Sequence, residues 1–299
     1  MKVESTNPSS MKASVDVNNN YIRQSPLSKA LLSRVTKSQN FANLPSPKFL
    51  TKTKSSWILH LPKWFPPPSP QAFQEIFQNH PKEQHRLKLY GKDVYENRWS
   101  QLYVTQSSVG VFYKYSGTSK ASVVCNPEIP EEQLVLDLCQ VMANQLLEQM
   151  MEQGILVDDA THPLTKKKEH GWYNCCLVNW YQPQHTIGLH ADDEMQMDTT
   201  IPIVSLSWGG PRRFLLRPKP TSVSISWSPC HDILLQSGDV IVMGGRCQEE
   251  FKHEIPKVRK MDGFVVDRIS WTIRSMKPAS HSSKATTKKR KMESIGKSL

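Results

Sequence analysis

The sequence predicts a mostly β fold, an antiparallel sandwich or jelly roll with flanking helices. After Gly171, short β-type runs follow one another and are separated by Gly, Pro and Asp, a spacing typical of such folds. Two helical patterns precede this block, and we expect them to cover one face of it. The predicted strands are Cys175–Tyr181, Ile201–Trp208, Arg213–Leu216, Val223–Trp227, Ile233–Gln236, Val240–Met243 and Arg268–Ile273.

The two helical patterns are expected to pack into the core. The first begins at Ser69-Pro70, where Ser can cap the helix and Pro suits the first helical position. Phe73, Ile76 and Phe77 then share one face. The second pattern runs from about residue 130 to residue 151. Its predicted apolar stripe is Leu134, Leu138, Val141 and Gln145, flanked by Val135, Met142 and Leu146.

The basic charge lies in the tails of the chain. The formal net charge is +11, of which residues 1–56 carry +7 and residues 276–299 carry +6, so that residues 57–275 carry −2. Both tails are polar, and we predict that they are disordered. The body is predicted to divide into a part at 57–170, which holds the two helices, and the jelly-roll part at 171–275.

Two short basic motifs stand in these tails. Lys288–Lys291 is similar to a nuclear localisation signal, with a solvated basic tail as the alternative, so we expect a nuclear or else a cytoplasmic protein. Lys48–Lys52 resembles the motif that binds the replication sliding clamp, although Thr51 departs from the usual aliphatic residue. Basic tails can also add affinity for phosphates.

Cysteine usage and hydropathy indicate the class of protein. None of the six cysteines forms a CxxC pair, which favours reduced, mostly buried thiols in an intracellular protein. No run approaches 18 apolar residues, and the first residues lack the apolar core of a signal peptide. We expect a monomer without a membrane partner.

A His-Ala-Asp tripeptide provides two candidate metal ligands, His190 and Asp192. On a strand, their side chains would share one face. His253 is the candidate third ligand, and two His with one carboxylate form the arrangement of non-haem iron(II) oxygenases. The tripeptide alone is a weak signal, and His253 could equally be a surface residue beside Lys252 and Glu254.

Two arginines on the last predicted strand, Arg268 and Arg274, would share one face with Ser270 and Thr272. A planar bidentate cation suits a dicarboxylate such as 2-oxoglutarate. A sheet interior normally rejects a charged stripe. The alternative is therefore the solvent-facing side of an edge strand.

The order of these motifs resembles the AlkB family of iron(II)- and 2-oxoglutarate-dependent nucleic-acid demethylases, most closely its eukaryotic DNA-repair branch. The resemblance covers about Trp57 to Met276. The segments that carry it are Asn179–Tyr181, Gly188–Glu194, Pro202–Ser207, Gly238–Gly245 and, in the family's nucleotide-recognition lid, Leu89–Lys92, Arg98 and Tyr113–Gly117.

The resemblance implies a double-stranded β-helix (jelly-roll) dioxygenase core that uses Fe(II), with 2-oxoglutarate and O2 as co-substrates. His190, Asp192 and His253 would bind iron. Arg268 would pair with the distal carboxylate of 2-oxoglutarate. The groups that would fix its other end are Arg274, Asn179, Tyr181 and Ser270. Ser270 stands where the family usually has Asn, and its hydroxyl can still form a hydrogen bond, with a shorter reach.

The resemblance also implies oxidative demethylation, as direct reversal repair, of bases such as 1-methyladenine and 3-methylcytosine in DNA or RNA. Tyr115 would stack on the base, Glu194 would face its polar edge, and Tyr90 would wedge into the duplex. A cationic base favours an aromatic face and a nearby carboxylate. The other implied substrate-binding residues are Arg98, Tyr113 and Asp193. Alternatively, the tyrosines are packing residues and Glu194 is a surface charge.

Two other functions remain open at this stage. A related oxygenase that acts on protein or a small molecule would share the iron site, but it would not explain the aromatic lid or Glu194. A catalytically inactive nucleic-acid-binding jelly roll would have no reason to retain three ligands and two arginines.

Overall fold

The computed structural model describes residues 43–65, 67–89, 91–104, 112–115, 118–121, 123–124, 130–156, 171–220, 230–259 and 266–277. For residues 88–89, 112–115, 118–121, 123–124, 130–135 and 138 it describes the backbone only. Tyr90, the predicted strand Val223–Trp227 and the basic cluster Lys288–Lys291 lie outside the described residues.

Three helices and sixteen strands are formed by these described residues. The helices are α1 (Pro70–Gln78), α2 (Pro130–Glu152) and α3 (Cys247–Glu250). The strands are β1 (Lys48–Phe49), β2 (Ser56–Leu61), β3 (Arg86–Leu89), β4 (Lys92–Tyr95), β5 (Trp99–Val104), β6 (Phe112–Tyr115), β7 (Thr118–Ala121), β8 (Val123–Val124), β9 (Cys175–Tyr181), β10 (Ile187–His190), β11 (Ile203–Gly209), β12 (Arg212–Pro218), β13 (His231–Leu235), β14 (Val240–Gly245), β15 (Phe251–Ile255) and β16 (Arg268–Arg274).

The strands form a major and a minor sheet. The major sheet has the order β1-β2-β14-β11-β16-β9-β5-β8, and the minor sheet has the order β10-β15-β12-β13. All these pairings are antiparallel except that of β5 with β8. Two small hairpins, β3-β4 and β6-β7, stand apart from them. The predicted mostly β, jelly-roll fold is confirmed.

The central strand β16 shows how the two faces of the major sheet differ. All seven of its residues are buried, between β11 and β9. Ile269, Trp271 and Ile273 belong to the apolar core that includes residues of α1 and α2. A second apolar core, which includes residues of the minor sheet, lies on the opposite face of the major sheet. The alternative of an exposed edge strand is therefore wrong, and the polar face of β16 lies inside the protein.

The helices α1 and α2 cover one face of the major sheet, as predicted. Ser69 caps α1, its hydroxyl accepting from the Ala72 amide at 3.3 Å, and Phe73 is among the buried residues of the helix. The predicted stripe of α2 is rotated, because Val141 is only half-buried and Gln145 is exposed. Apolar residues occur on more than one face of α2, so the sequence does not determine which face packs against the sheet. The buried residues are Leu136, Cys139, Met142, Ala143, Leu146, Leu147 and Met150.

Both boundaries of the predicted body need correction. The tail assigned to residues 1–56 includes β1, which pairs with β2, while Leu50 and Thr51 are buried. The composition of the segment did not indicate this strand, because Lys and Ser are frequent there. The few apolar residues of the segment nevertheless pack into the core. At the other end, Met276 is buried and forms a bridge with Met197, so the domain extends beyond residue 275.

The clamp-like segment Lys48–Lys52 is part of this ordered hairpin. Its aliphatic residue, Leu50, is 4% exposed and packs in the core between the sheets. A partner could not engage that side chain without unfolding the edge of the sheet, so the structure opposes the clamp interpretation.

The structure also describes five of the six cysteines and the three helices that bear on the predictions about thiols and membranes. Of the described cysteines, Cys139, Cys175, Cys176 and Cys247 are buried and Cys230 is exposed, and none of these five forms a disulfide with another. None of the described helices is long and apolar enough to cross a membrane.

Candidate active site

Two histidines face each other across the first strand pair of the minor sheet. His190 is the last residue of β10, and its partner on β15 is His253. Side chains that lie directly opposite each other share a face, and the two ring centres are 4.2 Å apart. His253 is buried on a strand, so its interpretation as a surface residue is wrong.

Asp192 joins these histidines from a loop. Because β10 ends at His190, the same-strand argument for the His-Ala-Asp tripeptide is wrong. Asp192 is nevertheless 1% exposed. Its backbone N–H donates to Gln248 Oε1 at 2.9 Å, and its Oδ1 accepts from Arg274 Nη2 at 2.8 Å. Side chains of the helix α3 and of the strand β16 thus fix its place.

The three side chains form one compact set of possible metal ligands. One ligand atom of each residue can be chosen so that all lie within 4.8 Å of one another. Nε2 of His190 is 3.7 Å from Oδ1 of Asp192, and Nε2 of His253 is 3.8 Å from Oδ2. His190 donates its Nδ1–H to the Gly188 carbonyl at 2.8 Å, which leaves the Nε2 lone pair for a metal.

Burial and neighbouring charges set the protonation of this cluster. Burial lowers the pKa of His190, and burial together with His190 lowers the pKa of His253 to about 3. Burial alone would raise the pKa of Asp192, but Arg274 and both histidines lower it below its ordinary value. Neutral imidazoles and a charged carboxylate are the forms that bind metals.

A buried arginine lines the same pocket as the cluster. Arg268 is 1% exposed, and its Nη2 donates to Ser207 Oγ at 2.8 Å. Its guanidinium lies 5.2 Å from the centre of the Tyr181 ring. No carboxylate of the described residues forms an ion pair with Arg268, and its Nε and Nη1 have no hydrogen-bond partner among them.

The other predicted co-substrate residues line this pocket as well. Tyr181 and Asn179 lie on β9, opposite Arg268 and Ser270 of β16. The Ser270 hydroxyl is 3.3 Å from that of Ser205 on β11. The sequence predictions therefore meet in one place, since these residues and the three cluster residues face a common cavity.

Arg98 is buried and contacts Asn179, one of the residues that line the pocket. Its Nε donates to Asn179 Oδ1 at 2.7 Å, and its Nη2 is 3.7 Å from Glu96 Oε2. The strand pairing explains this, because Ser100 of β5 lies opposite Asn179 of β9. Arg98 thus contacts a residue that is predicted to bind the co-substrate, and its own contact with substrate stays a prediction.

The remaining substrate-binding predictions are described in part. Asp193 is exposed and forms an ion pair with Lys219 at 2.8 Å. Glu194, the next residue, is half-buried and lies two positions after the candidate metal ligand Asp192. Tyr113 and Tyr115 lie on β6, where only the backbone is described, and Tyr90 is outside the described residues.

Comparison with known proteins identifies the family. The family model of the 2OG-Fe(II) oxygenase superfamily matches residues 58–284. The chain belongs to this superfamily. Its members use Fe(II), 2-oxoglutarate and O2.

Curated relatives confirm the AlkB resemblance. The chain is 40% identical over 82 residues to the DNA N(6)-methyladenine demethylase ALKBH1A of Arabidopsis thaliana, covering 27% of this chain and 22% of the relative. It is 28% identical over 124 residues to the tRNA demethylase abh1 of Schizosaccharomyces pombe, covering 37% and 39%. It is 30% identical over 89 residues to the mouse alkB homolog 3, covering 28% and 31%. The matches thus span well under half of each relative.

The residues of this oxygenase fit both iron and 2-oxoglutarate. Asp192 Oδ2 is buried without a hydrogen-bond partner among the described residues, which suits a cation beside it. Arg268 is a buried cation that forms no ion pair with a carboxylate of the described residues, and buried charges are normally paired. A dicarboxylate that chelates the metal at one end would supply that anion at its other end.

Sequence reasoning missed several residues of this site. Gln248 holds the Asp192 loop, Phe214 stacks on the His253 ring at 5.3 Å, and Ser207 binds Arg268. Ser207 ends a segment that resembles the family and Gln248 follows another, but no spacing in the sequence indicates their partners. Phe214 is one of three consecutive apolar residues of an ordinary buried strand.

Proposed function

We propose that this oxygenase oxidatively demethylates bases of DNA or RNA, such as 1-methyladenine and 3-methylcytosine, as direct reversal repair. One observation carries the proposal: the cluster of His190, Asp192 and His253 lines the same pocket as the buried Arg268, which forms no ion pair with a carboxylate of the described residues. The relatives named as DNA and tRNA demethylases support a nucleic-acid substrate over a protein or a small metabolite.

Each residue of the pocket has a separate task in this proposal. His190, Asp192 and His253 hold Fe(II) from one side, and Arg274 keeps the Asp192 carboxylate charged and oriented. The distal carboxylate of 2-oxoglutarate pairs with Arg268, and its other end receives hydrogen bonds from donors lining the pocket. These donors are Asn179, Tyr181, Ser270 and Arg274.

Bound iron and 2-oxoglutarate supply the oxidation of an N-methyl group by O2, with succinate, carbon dioxide and, after loss of the hydroxylated methyl group, formaldehyde as products. The chain itself contributes binding, orientation and a dry site. The apolar side chains that line the pocket, among them Leu177, Ile187, Phe214 and Leu235, limit the access of water.

A base within a duplex must be flipped out to reach the iron. In our proposal, Tyr115 stacks on the flipped base, with Tyr113 beside it, and Tyr90 fills the gap in the duplex. Glu194 faces the polar edge of the base. The place of Glu194, two residues after Asp192, supports this role, while the ion pair with Lys219 draws Asp193 to the surface.

Succinate and formaldehyde release tests the proposal. Purified protein with Fe(II) and 2-oxoglutarate would be assayed with single-stranded DNA and RNA that carry 1-methyladenine or 3-methylcytosine. Unmethylated strands, a methylated peptide and small metabolites would be compared. We expect equal amounts of succinate and formaldehyde with methylated nucleic acid only.

Two neighbouring variants provide the control. His253→Ala should abolish release, because one ligand is lost. Glu254→Ala should retain it, because Glu254 points to the surface and pairs with Arg217 at 3.0 Å. Turnover of the peptide or a metabolite in place of methylated nucleic acid would contradict the proposal, as would full activity of His253→Ala.

A further inference from the structure

The ligand Asp192 lacks the support that a strand gives to its neighbour His190. His190 is held in the β10–β15 ladder, whereas Asp192 lies two residues beyond the end of β10. A metal ligand must be kept within a fraction of an ångström of its productive place. Some other group must therefore hold the backbone of this loop.

The Gln248 side chain makes that contact. It is buried on the short helix α3, and its Oε1 accepts the backbone N–H of Asp192 at 2.9 Å. Its Nε2 faces Met243 Sδ at 3.4 Å. One amide therefore joins the loop that carries Asp192 to the end of β14.

The position of α3 gives this contact a second consequence. The helix lies between β14 and β15, and β15 carries His253. Gln248 thus ties the Asp192 loop to the segment that presents the third ligand. Arg274 of β16 holds Oδ1 of the same carboxylate at 2.8 Å. Backbone and carboxylate are fixed from two sides, and Oδ2 is left for a cation.

We propose that Gln248 is a positioning residue of the metal centre, which sets the place of Asp192 relative to His253. The inference rests on the proposed function of the His190–Asp192–His253 cluster as an iron site. A neutral amide suits the task because it accepts from the Asp192 N–H without placing a second negative charge beside the buried carboxylate. Leu would offer no acceptor, and Asn would be one methylene too short to keep the 2.9 Å contact.

The test measures metal binding in the absence of turnover. Co(II) would be titrated without oxygen into wild-type protein, Gln248→Leu and Gln248→Asn, with affinity followed by calorimetry and coordination by the visible Co(II) spectrum. Groups that orient metal ligands typically contribute 10–100-fold to affinity. We expect both variants to bind Co(II) roughly 10–100-fold more weakly and with an altered spectrum.

Two controls separate positioning from general stability. Glu249→Ala lies on the same helix, but Glu249 is exposed and pairs with Arg246. Leu146→Ala opens a cavity in the helix-side core and lowers stability away from the site. Both should bind Co(II) as the wild type does.

The outcomes distinguish this inference from the function on which it rests. If the wild type binds Co(II) and folded Gln248→Leu matches its affinity within twofold, the positioning role is wrong while the iron site stands. If Gln248→Leu does not fold, wild-type affinity in Gln248→Asn overturns the inference instead. A wild-type protein without Co(II) affinity would overturn both.

Discussion

Replacement of Arg98 by Met would remove a buried guanidinium that contacts two polar side chains. It donates to Asn179 Oδ1 at 2.7 Å and lies 3.7 Å from the buried Glu96 carboxylate, which also accepts the Ser100 hydroxyl. The donation to Oδ1 directs the NH2 group of Asn179 away from Arg98. That NH2 group is then available as a donor to 2-oxoglutarate.

The magnitude follows from these contacts. Loss of one partner of a buried ion pair costs about 3–5 kcal/mol of unfolding free energy, because the remaining charge is uncompensated. If the Asn179 amide turns away, one hydrogen bond to the co-substrate is lost, which reduces the binding free energy by about 0.5–1.5 kcal/mol. Since 1.4 kcal/mol is tenfold in affinity, we expect the Kd for 2-oxoglutarate to rise by up to about tenfold.

Calorimetry with a redox-inert divalent metal in the site gives that Kd, and urea unfolding gives the stability. Arg98→Lys is the matched variant, because it retains a positive charge for Glu96 but lacks the Nε–H that Asn179 accepts. It should be more stable than Arg98→Met and still bind 2-oxoglutarate more weakly than the wild type. An unchanged Kd for 2-oxoglutarate, with weaker binding of methylated strands, would refute the reasoning and restore a substrate-binding role.

Three further outcomes are expected from other parts of the chain. Removal of residues 1–42 should leave the stability of the domain and single-turnover chemistry intact, whereas removal of residues 1–56 deletes β1 and buried core, and should unfold the domain in thermal melts. Thiol labelling of the native protein at pH 8 should modify Cys230 and spare Cys247, because burial raises the pKa of Cys247 to about 12 and leaves almost no thiolate; mass spectrometry of labelled peptides decides this. Tyr115→Ala should slow repair by roughly one to two decades, since stacking contributes about 1–3 kcal/mol per base, but it should retain uncoupled 2-oxoglutarate decarboxylation; unchanged repair would remove the stacking role.

Local patterns predicted the parts of the fold that local physics determines. The strand Cys175–Tyr181 has the predicted bounds, and the α1 cap and apolar face were also predicted. The polar face of β16 was identified from alternation, but its burial was not, because burial depends on β9 and β11 pairing on both sides.

The site was predicted mainly from the order of its motifs. Their geometry could not be predicted, since it arises from contacts distant in the chain. Asp192 is placed by Gln248 and Arg274 rather than by its own strand. Arg98 is drawn inward by Glu96 and Asn179. Neither the hydrophobic periodicity nor the spacing of residues in the sequence indicates such side-chain contacts.

Anaerobic addition of Fe(II) and 2-oxoglutarate tests the central claim most directly, because the iron chelate of a 2-oxo acid has a visible charge-transfer band. We predict this band for the wild type and its absence in Asp192→Ala, which lacks one ligand. Arg268→Leu should need far more 2-oxoglutarate, whereas Arg213→Leu, which removes a half-buried arginine paired with Asp232, should match the wild type. A wild-type protein without the band, or Arg268→Leu with wild-type affinity for 2-oxoglutarate, would contradict the account.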